Sequence, residues 1–126
     1  MVNYILIVDD SRTVRASVKY ALSKGSYQVE EAVNGKEALD FLIEQAQADK
    51  RPGMIITDVN MPVMDGISFV REVKKLRKLK FIPIIILTTE SQDELKLEGK
   101  KAGAAGWLVK PFKAEQLLQL AKRFIR

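Results

Sequence analysis

Short, mostly apolar runs recur along the sequence, and each is followed by a segment whose apolar residues have helical spacing. The runs cover residues 4–8, 27–32, 54–57, 83–89 and 105–109. Short apolar strands that alternate with helices are typical of a parallel sheet with both faces covered, joined by right-handed crossovers. The pattern therefore predicts one α/β domain over residues 1–126, with five parallel strands and five helices.

Several local signals predict where the helices begin and end. Asn34 with Glu37, and the stretch 91–94 (SQDE), are typical capping boxes for the second and fourth helices. Residues 51–53 (RPG) predict a turn before the third strand. The fourth helix is weak, because Gly99 in its interior costs about 1 kcal/mol relative to alanine.

Polar side chains stand at the carboxyl ends of four of the predicted strands. They are Asp9 and Asp10 after the first strand, Asp58 after the third, Thr88 and Thr89 at the end of the fourth, and Lys110 after the fifth. In an open parallel sheet the carboxyl ends of the strands share one edge, where ligands bind. These residues are therefore expected to form one site.

The chemistry of these residues favours phosphoryl transfer. Clustered carboxylates repel one another, and a hard divalent cation such as Mg²⁺ relieves that repulsion. The chain contains no histidine and no cysteine, so a metal site must be built from oxygen ligands. Lysine and threonine suit phosphoryl oxygens, and a carboxylate of the cluster is able to attack phosphorus and become an aspartyl phosphate.

Four motifs together resemble the receiver domain of two-component response regulators. They are VDDSRTVR (8–15), TDVNMPVMDG (57–66), LTTES (87–91) and GWLVKPF (106–112). The resemblance extends over essentially the whole chain and is greatest to stand-alone chemotaxis receivers of the CheY type. It implies a doubly wound (βα)5 sandwich, flavodoxin-like, with strand order 2-1-3-4-5.

The resemblance also implies roles for the acidic residues. Asp58 would be the phosphoacceptor. Asp10, Asp58 and the backbone carbonyl of Asn60 would hold Mg²⁺, or Mn²⁺ as an alternative, and Asp9 would act through water. Asn60 and Glu90 are expected to modulate dephosphorylation.

The remaining motif residues are expected to bind phosphate or to switch. Thr88 would bind a phosphoryl oxygen, Lys110 would pair with the phosphate, and Trp107 occupies the position of the aromatic switch residue. Thr89 stands where the family often has a smaller residue, so it is expected to restrict water access. The family also implies a cis peptide bond between Lys110 and Pro111.

The expected function is a phosphorylation-activated binding switch in chemotaxis. The implied partners are a chemotaxis-type histidine kinase, an output protein such as the flagellar motor switch, and a phosphatase; serving as a phosphate sink is an alternative output. Direct nucleic-acid binding and membrane insertion are not expected, and a cytoplasmic location follows from the lack of a signal peptide or membrane-length apolar run.

Two other functions remain open. The first alternative is the receiver of a transcription regulator that lacks its DNA-binding domain. A phosphatase of the haloacid dehalogenase type also forms an aspartyl phosphate, but it needs an aspartate two residues after the nucleophile, where this chain has Asn60. On this basis the chain is not expected to be an enzyme beyond self-phosphorylation from acyl phosphates and self-dephosphorylation.

Each site residue also has a purely structural interpretation. Asp10 is a candidate cap of the first helix and Asp65 of the third. Thr88 is an ordinary β-branched strand residue, Lys110 an ordinary solvated lysine, and Trp107 an ordinary core aromatic. None of these explains why the polar residues share one edge of the sheet.

The net charge of +5 equals that of one segment, residues 71–80 (REVKKLRKLK), which has six basic residues and one acid. Arg71, Lys74, Lys75 and Lys78 have helical spacing near a predicted helix end, where the helix dipole favours cations. The segment is interpreted as a solvated helix face, with docking of an acidic partner as the alternative.

Overall fold

The computed structural model of the protein describes residues 4–125. Five strands alternate with five helices along the chain. The strands are β1 (Tyr4–Val8), β2 (Gln28–Ala32), β3 (Pro52–Thr57), β4 (Ile84–Thr88) and β5 (Gly106–Val109). The helices are α1 (Arg12–Ser23), α2 (Gly35–Gln47), α3 (Gly66–Lys75), α4 (Asp93–Ala102) and α5 (Ala114–Phe124).

All five strands are parallel and form one sheet in the order β2-β1-β3-β4-β5. This confirms the predicted flavodoxin-like fold. Because the strands are parallel, the carboxyl ends of β1, β3, β4 and β5 lie along one edge. Their amino ends lie on the opposite edge, together with the α2–β3 and α3–β4 connections.

Two apolar layers cover the sheet because successive strand residues point to opposite faces. Leu6 and Ile55 pack in the layer with α2 and α3. Ile5 and Ile56 pack in the layer with α1 and α5. The central strands β1, β3 and β4 are buried at every residue except Gly53, which explains their largely apolar sequences.

The helix starts agree with the sequence signals in two of four cases. Asp10 is not the cap of α1; Ser11 is, and its Oγ accepts a hydrogen bond from the Val14 N–H at 3.2 Å. Asn34 caps α2 by accepting a hydrogen bond from the Glu37 N–H at 2.8 Å, and Asp65 caps α3 by accepting from the Ser68 N–H at 2.9 Å. The capping box predicted at 91–94 is wrong. The α4 N-cap is Gln92, which makes no side-chain capping bond.

The turn predicted at 51–53 is also wrong in part, since Pro52 and Gly53 belong to β3. The register of β3 on β1 shifts between Tyr4 and Ile5, so the strand extends back past the expected turn. Residue 53 packs closely against Ile125: a Cβ there would lie 2.9 Å from Ile125 Cγ1, so glycine fits this position best.

Helix α3 ends at Lys75, so Lys78 is not on the helix face predicted for it. Nor is Lys74 solvated. Its half-buried ammonium donates hydrogen bonds to the carbonyls of Lys80 at 2.9 Å and Ile82 at 2.7 Å. Burial lowers the pKa of Lys74 below its ordinary value. Among the helices in residues 4–125, none has the length and apolar character to traverse a bilayer.

Candidate functional site

Three carboxylates and one ammonium meet at the carboxyl edge of the sheet. Asp9 and Asp10 follow β1, Asp58 follows β3, and Lys110 follows β5. Oxygens of the three carboxylates lie within 4.8 Å of one another. The structure thus brings together residues that are about a hundred positions apart, as the strand-end pattern predicted.

Lys110 joins the two buried carboxylates of this cluster. Its Nζ lies 3.1 Å from Asp9 Oδ2 and 3.0 Å from Asp58 Oδ2. Asp9 and Asp58 are only 3% and 9% exposed, whereas Asp10 is exposed. The cluster is therefore buried on the Lys110 side and open to solvent on the Asp10 side.

The backbone fixes the second oxygen of each buried carboxylate. The Val59 N–H donates to Asp58 Oδ1 at 2.6 Å, and the Ser11 N–H donates to Asp9 Oδ1 at 2.8 Å. Each side chain therefore has one oxygen held by its own loop and one directed to Lys110. This leaves both carboxylates oriented before any ligand is present.

The electrostatics of the cluster follow from its burial and its surplus of negative charge. Burial raises the pKa of Asp9 above its ordinary value, and the neighbouring Asp58 charge acts in the same direction. Hydrogen bonds from Ser11 and Lys110 only partly oppose this rise. Burial lowers the pKa of Lys110, but the hydrogen bonds and charges of Asp58 and Asp9 outweigh it, so the pKa of Lys110 is raised.

The donor set suits a hard divalent cation. Three carboxylates against one ammonium leave an excess of negative charge, and a cation bound by oxygen would relieve it. The exposed side at Asp10 also leaves room for the water ligands that Mg²⁺ retains. The side chain of Asn60, two residues beyond Asp58, is exposed at the same edge.

The loop after β3 is anchored close to Asp58. A Cβ on Gly66 would lie 1.8 Å from the Asp58 carbonyl oxygen, so only glycine fits there. The Gly66 N–H donates to the Val59 carbonyl at 2.8 Å, and Asp65 starts α3. Close packing and hydrogen bonds therefore join the end of β3 to the loop that follows it and position the Asp58 side chain.

A second group of polar contacts lies beside the carboxylates, at the end of β4. The Thr88 side chain is fully buried, and its Oγ1 accepts a hydrogen bond from the Glu90 N–H at 3.3 Å. The Trp107 indole donates from Nε1 to the Glu90 carbonyl at 2.9 Å. Residue 90 therefore connects Thr88 to Trp107 through its backbone, while Thr89 is exposed.

Trp107 packs between the sheet and α4. Its ring lies in a small cluster with Val59, Ile67 and Ile86. A Cβ on Gly99 would lie 2.8 Å from Trp107 Cζ3. The glycine that weakens α4 is thus the residue that admits the indole.

Three contacts of the site were not predicted from the sequence. Asn60 Nδ2 donates to Glu90 Oε1 at 3.1 Å and so connects the loops after β3 and β4. Arg15 donates from Nη1 to the Asp9 carbonyl at 2.7 Å and also pairs with Glu31 at 3.1 Å. Arg15 lies within the motif 8–15, but its spacing alone gives no sign of these contacts.

The peptide bond between Lys110 and Pro111 is cis, as the resemblance implied. The Lys110 N–H donates to the Thr88 carbonyl at 2.8 Å. The start of the loop that carries the lysine is therefore joined to the end of β4.

The sequence matches the model of the response regulator receiver domain family over residues 5–122. It is 38% identical over 122 residues to the response regulator MprA of Mycolicibacterium vanbaalenii, covering 97% of this chain and 50% of MprA. It is 35% identical over 122 residues to the sensor histidine kinase CheAY of Helicobacter pylori, covering 97% of this chain and 15% of CheAY. The chain thus spans half or less of the length of these two relatives.

Solved structures agree with these matches. The chemotaxis protein CheY4 of Vibrio cholerae superposes with a TM-score of 0.85 at 45% identity, covering 99% of this chain and 100% of CheY4. The receiver domain of the sensor histidine kinase PA1611 from Pseudomonas aeruginosa superposes with a TM-score of 0.84 at 27% identity, covering 99% of this chain and 98% of that domain. The PA1611 structure holds a magnesium ion in its active site cleft.

Proposed function

The chain belongs to the response regulator receiver domain family, and from this premise we propose that it is a Mg²⁺-dependent switch phosphorylated on Asp58. The observation that carries the proposal is the bridge from Lys110 Nζ to both Asp9 and Asp58 at 3.0–3.1 Å, with Asp10 alongside. As a receiver of a two-component system it is a phosphoacceptor signalling domain rather than a classical enzyme.

Asp58 is the group best placed to attack phosphorus. It stays anchored through Oδ1 to the Val59 N–H, and its other oxygen faces the charged cluster. In the transfer a carboxylate oxygen forms a bond to phosphorus, and the bond to the imidazole of a kinase phosphohistidine, or to an acyl oxygen, breaks. The leaving group keeps the electron pair.

Asp9, Asp10, Asp58 and the backbone carbonyl of Asn60 would hold Mg²⁺, with Mn²⁺ as an alternative. When bound, the ion supplies positive charge that stabilises the phosphoryl oxygens during transfer. Asp9 is already fixed by the Ser11 N–H, so it would act as a preoriented acceptor for a water on the ion.

Lys110 and Thr88 would bind the phosphoryl group after transfer. The pKa of Lys110 is raised, so its ammonium stays charged and forms an ion pair with the added phosphate. Thr88 would exchange the Glu90 N–H for a phosphoryl oxygen, which draws the loop after β4 inward. That loop holds the Trp107 indole at the Glu90 carbonyl, so the indole would change its position as well.

Three residues at the mouth of the site would set the lifetime of the phosphoryl group. The Asn60–Glu90 hydrogen bond spans the two loops above Asp58, and Thr89 is exposed beside it. All three stand where an attacking water would approach. We therefore assign them to the control of dephosphorylation.

We further propose that this receiver acts in chemotaxis. This proposal is supported by 45% identity to CheY4 over 99% of the chain and by the match to CheAY. The proposed partners are a chemotaxis-type histidine kinase, an output protein such as the flagellar motor switch, and a phosphatase. Serving as a phosphate sink is the alternative output.

The experiment that tests the switch combines intact mass with Trp107 fluorescence. Mg²⁺ and then acetyl phosphate are added to the protein and to Asp58→Asn. We expect wild type to gain the mass of one phosphoryl group and to change its emission in two steps, and the variant to show neither the mass nor the second step. An unmodified wild-type mass would overturn the proposal.

A second candidate is the receiver of a transcription regulator. It is favoured by the 38% identity to MprA, of which the chain spans 50%. Binding of the phosphorylated protein to a peptide of a flagellar motor switch protein discriminates the two. Binding that strengthens on phosphorylation supports the chemotaxis assignment. Equal binding before and after phosphorylation would exclude the flagellar motor switch as the output partner.

A further inference from the structure

A basic and aromatic surface lies at the amino-terminal edge of the sheet, opposite the candidate site. We define it as Arg77, Lys78, Lys80 and Phe81, together with Arg51, whose guanidinium pairs with Asp49 at 3.1 Å. Strand β3, with six residues, separates it from Asp58, which corresponds to roughly 20 Å. It is therefore distinct from the phosphorylation site in position and in chemistry.

Phe81 is the most exposed large apolar side chain among the described residues, at 86%. Of its two sequence neighbours, Ile82 is buried, whereas Lys80 is exposed and charged. The Lys80 Nζ lies 5.1 Å from the Phe81 ring centroid. The Phe81 ring belongs to none of the buried core clusters among the described residues, so its burial does not stabilise the fold. Such rings are typical anchors at protein interfaces.

Buried side chains and backbone hydrogen bonds hold the turn that presents Phe81. Leu79 and Ile82 are buried in the core on either side of it. The Lys80 N–H donates to the Leu76 carbonyl at 2.8 Å, and the Lys74 ammonium donates to the carbonyls of Lys80 and Ile82 at 2.9 and 2.7 Å. Phe81 is thus held outward by the fold, which limits the entropy lost when a partner binds.

The charges of the segment 71–80 divide into two groups. In the first group, Arg71 pairs with Glu98 at 3.2 Å and Lys75 pairs with Glu72 at 2.9 Å. The Lys74 ammonium, also in this group, donates hydrogen bonds to backbone carbonyls of the turn. Arg77, Lys78 and Lys80 make no ion pair within residues 4–125. Since the rest of the chain is electrically balanced, these uncompensated cations form a local positive field.

Two shallow grooves meet at Arg77 and Lys78. The first, of about 310 Å³, lies between α2 and the start of the α3–β4 connection and has an apolar floor of Ile43, Ala46, Leu76 and Leu79. The second, of about 620 Å³, runs from the same two cations past Phe81 to Arg51. No acidic side chain lines either groove.

We propose that this surface docks an acidic segment of a protein partner, with an apolar side chain of that segment seated in the first groove. The cations flank an apolar floor, so they complement a ligand that carries negative charge and an apolar anchor together. A nucleic acid would use the cations but has no side chain for the floor. The proposal gives a role to the basic segment that the phosphorylation switch leaves unused.

A random peptide library displayed on phage provides the test, with the whole domain as bait. We expect the selected peptides to combine aspartate or glutamate with leucine, phenylalanine or tryptophan. Their affinity, measured by fluorescence anisotropy, should fall by about tenfold in Arg77→Glu/Lys78→Glu, and in Phe81→Ala or Ile43→Ser by about fivefold or more. Added salt should weaken binding to wild type.

The matched control is Lys24→Glu/Lys122→Glu, which makes the same change of charge at the exposed C-cap of α1 and at an exposed position of α5, on the other face of the sheet. It should bind the selected peptides like wild type, as should Asp58→Asn, so this test does not depend on the phosphorylation site. A circular dichroism spectrum and a cooperative urea unfolding transition like those of wild type show that each surface variant is folded.

Three results would overturn the proposal. The first is a selection without acidic and apolar peptides. The second is peptides that bind Arg77→Glu/Lys78→Glu as well as they bind wild type. The third is retention of a mixed-sequence oligonucleotide or of phosphatidylglycerol vesicles by this surface in preference to the peptides.

Discussion

Gly99 and Trp107 fit together so closely that a Cβ at residue 99 would force the indole to shift. A Cβ there would lie 2.8 Å from Trp107 Cζ3 and 3.1 Å from Ile86 Cδ1. The pair therefore determines how the indole, which donates to the Glu90 carbonyl, lies between α4 and β5.

Gly99→Ala is expected to destabilise the protein despite the higher helix propensity of alanine. Propensity alone would add about 1 kcal/mol. Overpacking against the indole should cost more, leaving the free energy of unfolding lower by about 1 kcal/mol. Urea unfolding measures this, and the Trp107 emission should shift. Lys101→Ala, at an exposed position of the same helix, is the control; a more stable Gly99→Ala with unchanged emission would contradict the fit.

Thr88→Val is expected to separate phosphorylation from the switch. Valine keeps the shape of the buried side chain but removes the hydroxyl that accepts from the Glu90 N–H. Intact mass should still show modification of Asp58 by acetyl phosphate, whereas the second Trp107 fluorescence step should lose most of its amplitude. A full-amplitude step in the variant would show that the hydroxyl does not transmit the change.

Asp65→Ala is expected to lower the free energy of unfolding by about 1 kcal/mol, because the α3 N-cap is lost. Burial raises the pKa of Asp65, but hydrogen bonds from Ser68 outweigh it and the pKa is lowered from 3.8. Since the folded pKa is below the unfolded one, the stabilisation is present above that value and is lost as the pH falls through the folded pKa.

The measurement for this cap is urea unfolding of both proteins across the acid range. The difference between wild type and Asp65→Ala should shrink toward low pH. Asp65→Asn, which retains a capping oxygen, should cost only a few tenths of a kcal/mol. A loss as large as that of alanine would assign the effect to the charge instead of the cap.

The fold was predictable from the sequence because its signals are local. The runs of β1, β3 and β4 are mostly apolar because both faces of these strands are buried. The geometry of a parallel sheet then places Asp9, Asp58 and Lys110 on one edge. The rule that the carboxyl ends of parallel strands share one edge was enough to predict the charged cluster.

The contacts that refine the site were not predictable, because each joins distant segments through a particular side-chain geometry. The Asn60–Glu90 hydrogen bond and the burial of Lys74 leave no periodic pattern in the sequence. At the start of α4, in contrast, a sequence signal was present but misleading. Residues 91–94 match the capping-box motif, but the helix begins at Asp93 and its N-cap residue makes no side-chain hydrogen bond. Motifs of four residues are weaker evidence than strand ends that converge.

Tyr4→Phe is expected to stabilise the protein. The Tyr4 hydroxyl is buried and has no hydrogen-bond partner within the part of the chain that the structure describes. An unsatisfied buried hydroxyl costs about 1 kcal/mol or more, so its removal should raise the free energy of unfolding by that amount at neutral pH. A destabilised phenylalanine variant would mean that the hydroxyl does have a partner, for instance a bound water.

The same pair of proteins should diverge further at high pH. Burial, with a smaller contribution from the charge of Glu30, raises the pKa of Tyr4 from 10.0 to about 12. Between these values the folded state keeps a proton that the unfolded state has lost, so the stabilisation is present below the unfolded pKa and is lost as the pH rises through the folded one. Wild type should therefore lose on the order of 2 kcal/mol relative to Tyr4→Phe across this interval, measured by urea unfolding.

Lys110→Met is expected to make the stability of the domain depend on Mg²⁺. Without the ammonium, Asp9 and Asp58 face each other uncompensated, and in EDTA the free energy of unfolding should fall by on the order of 2 kcal/mol. Added Mg²⁺ should restore much of that loss by neutralising the same oxygens, so the thermal shift on adding Mg²⁺ should be larger in the variant than in wild type. Lys36→Met, which breaks an exposed pair with Asp40 at 2.8 Å, is the control and should change little. Equal Mg²⁺ shifts in wild type and Lys110→Met would mean that the ion and the lysine do not share these carboxylates.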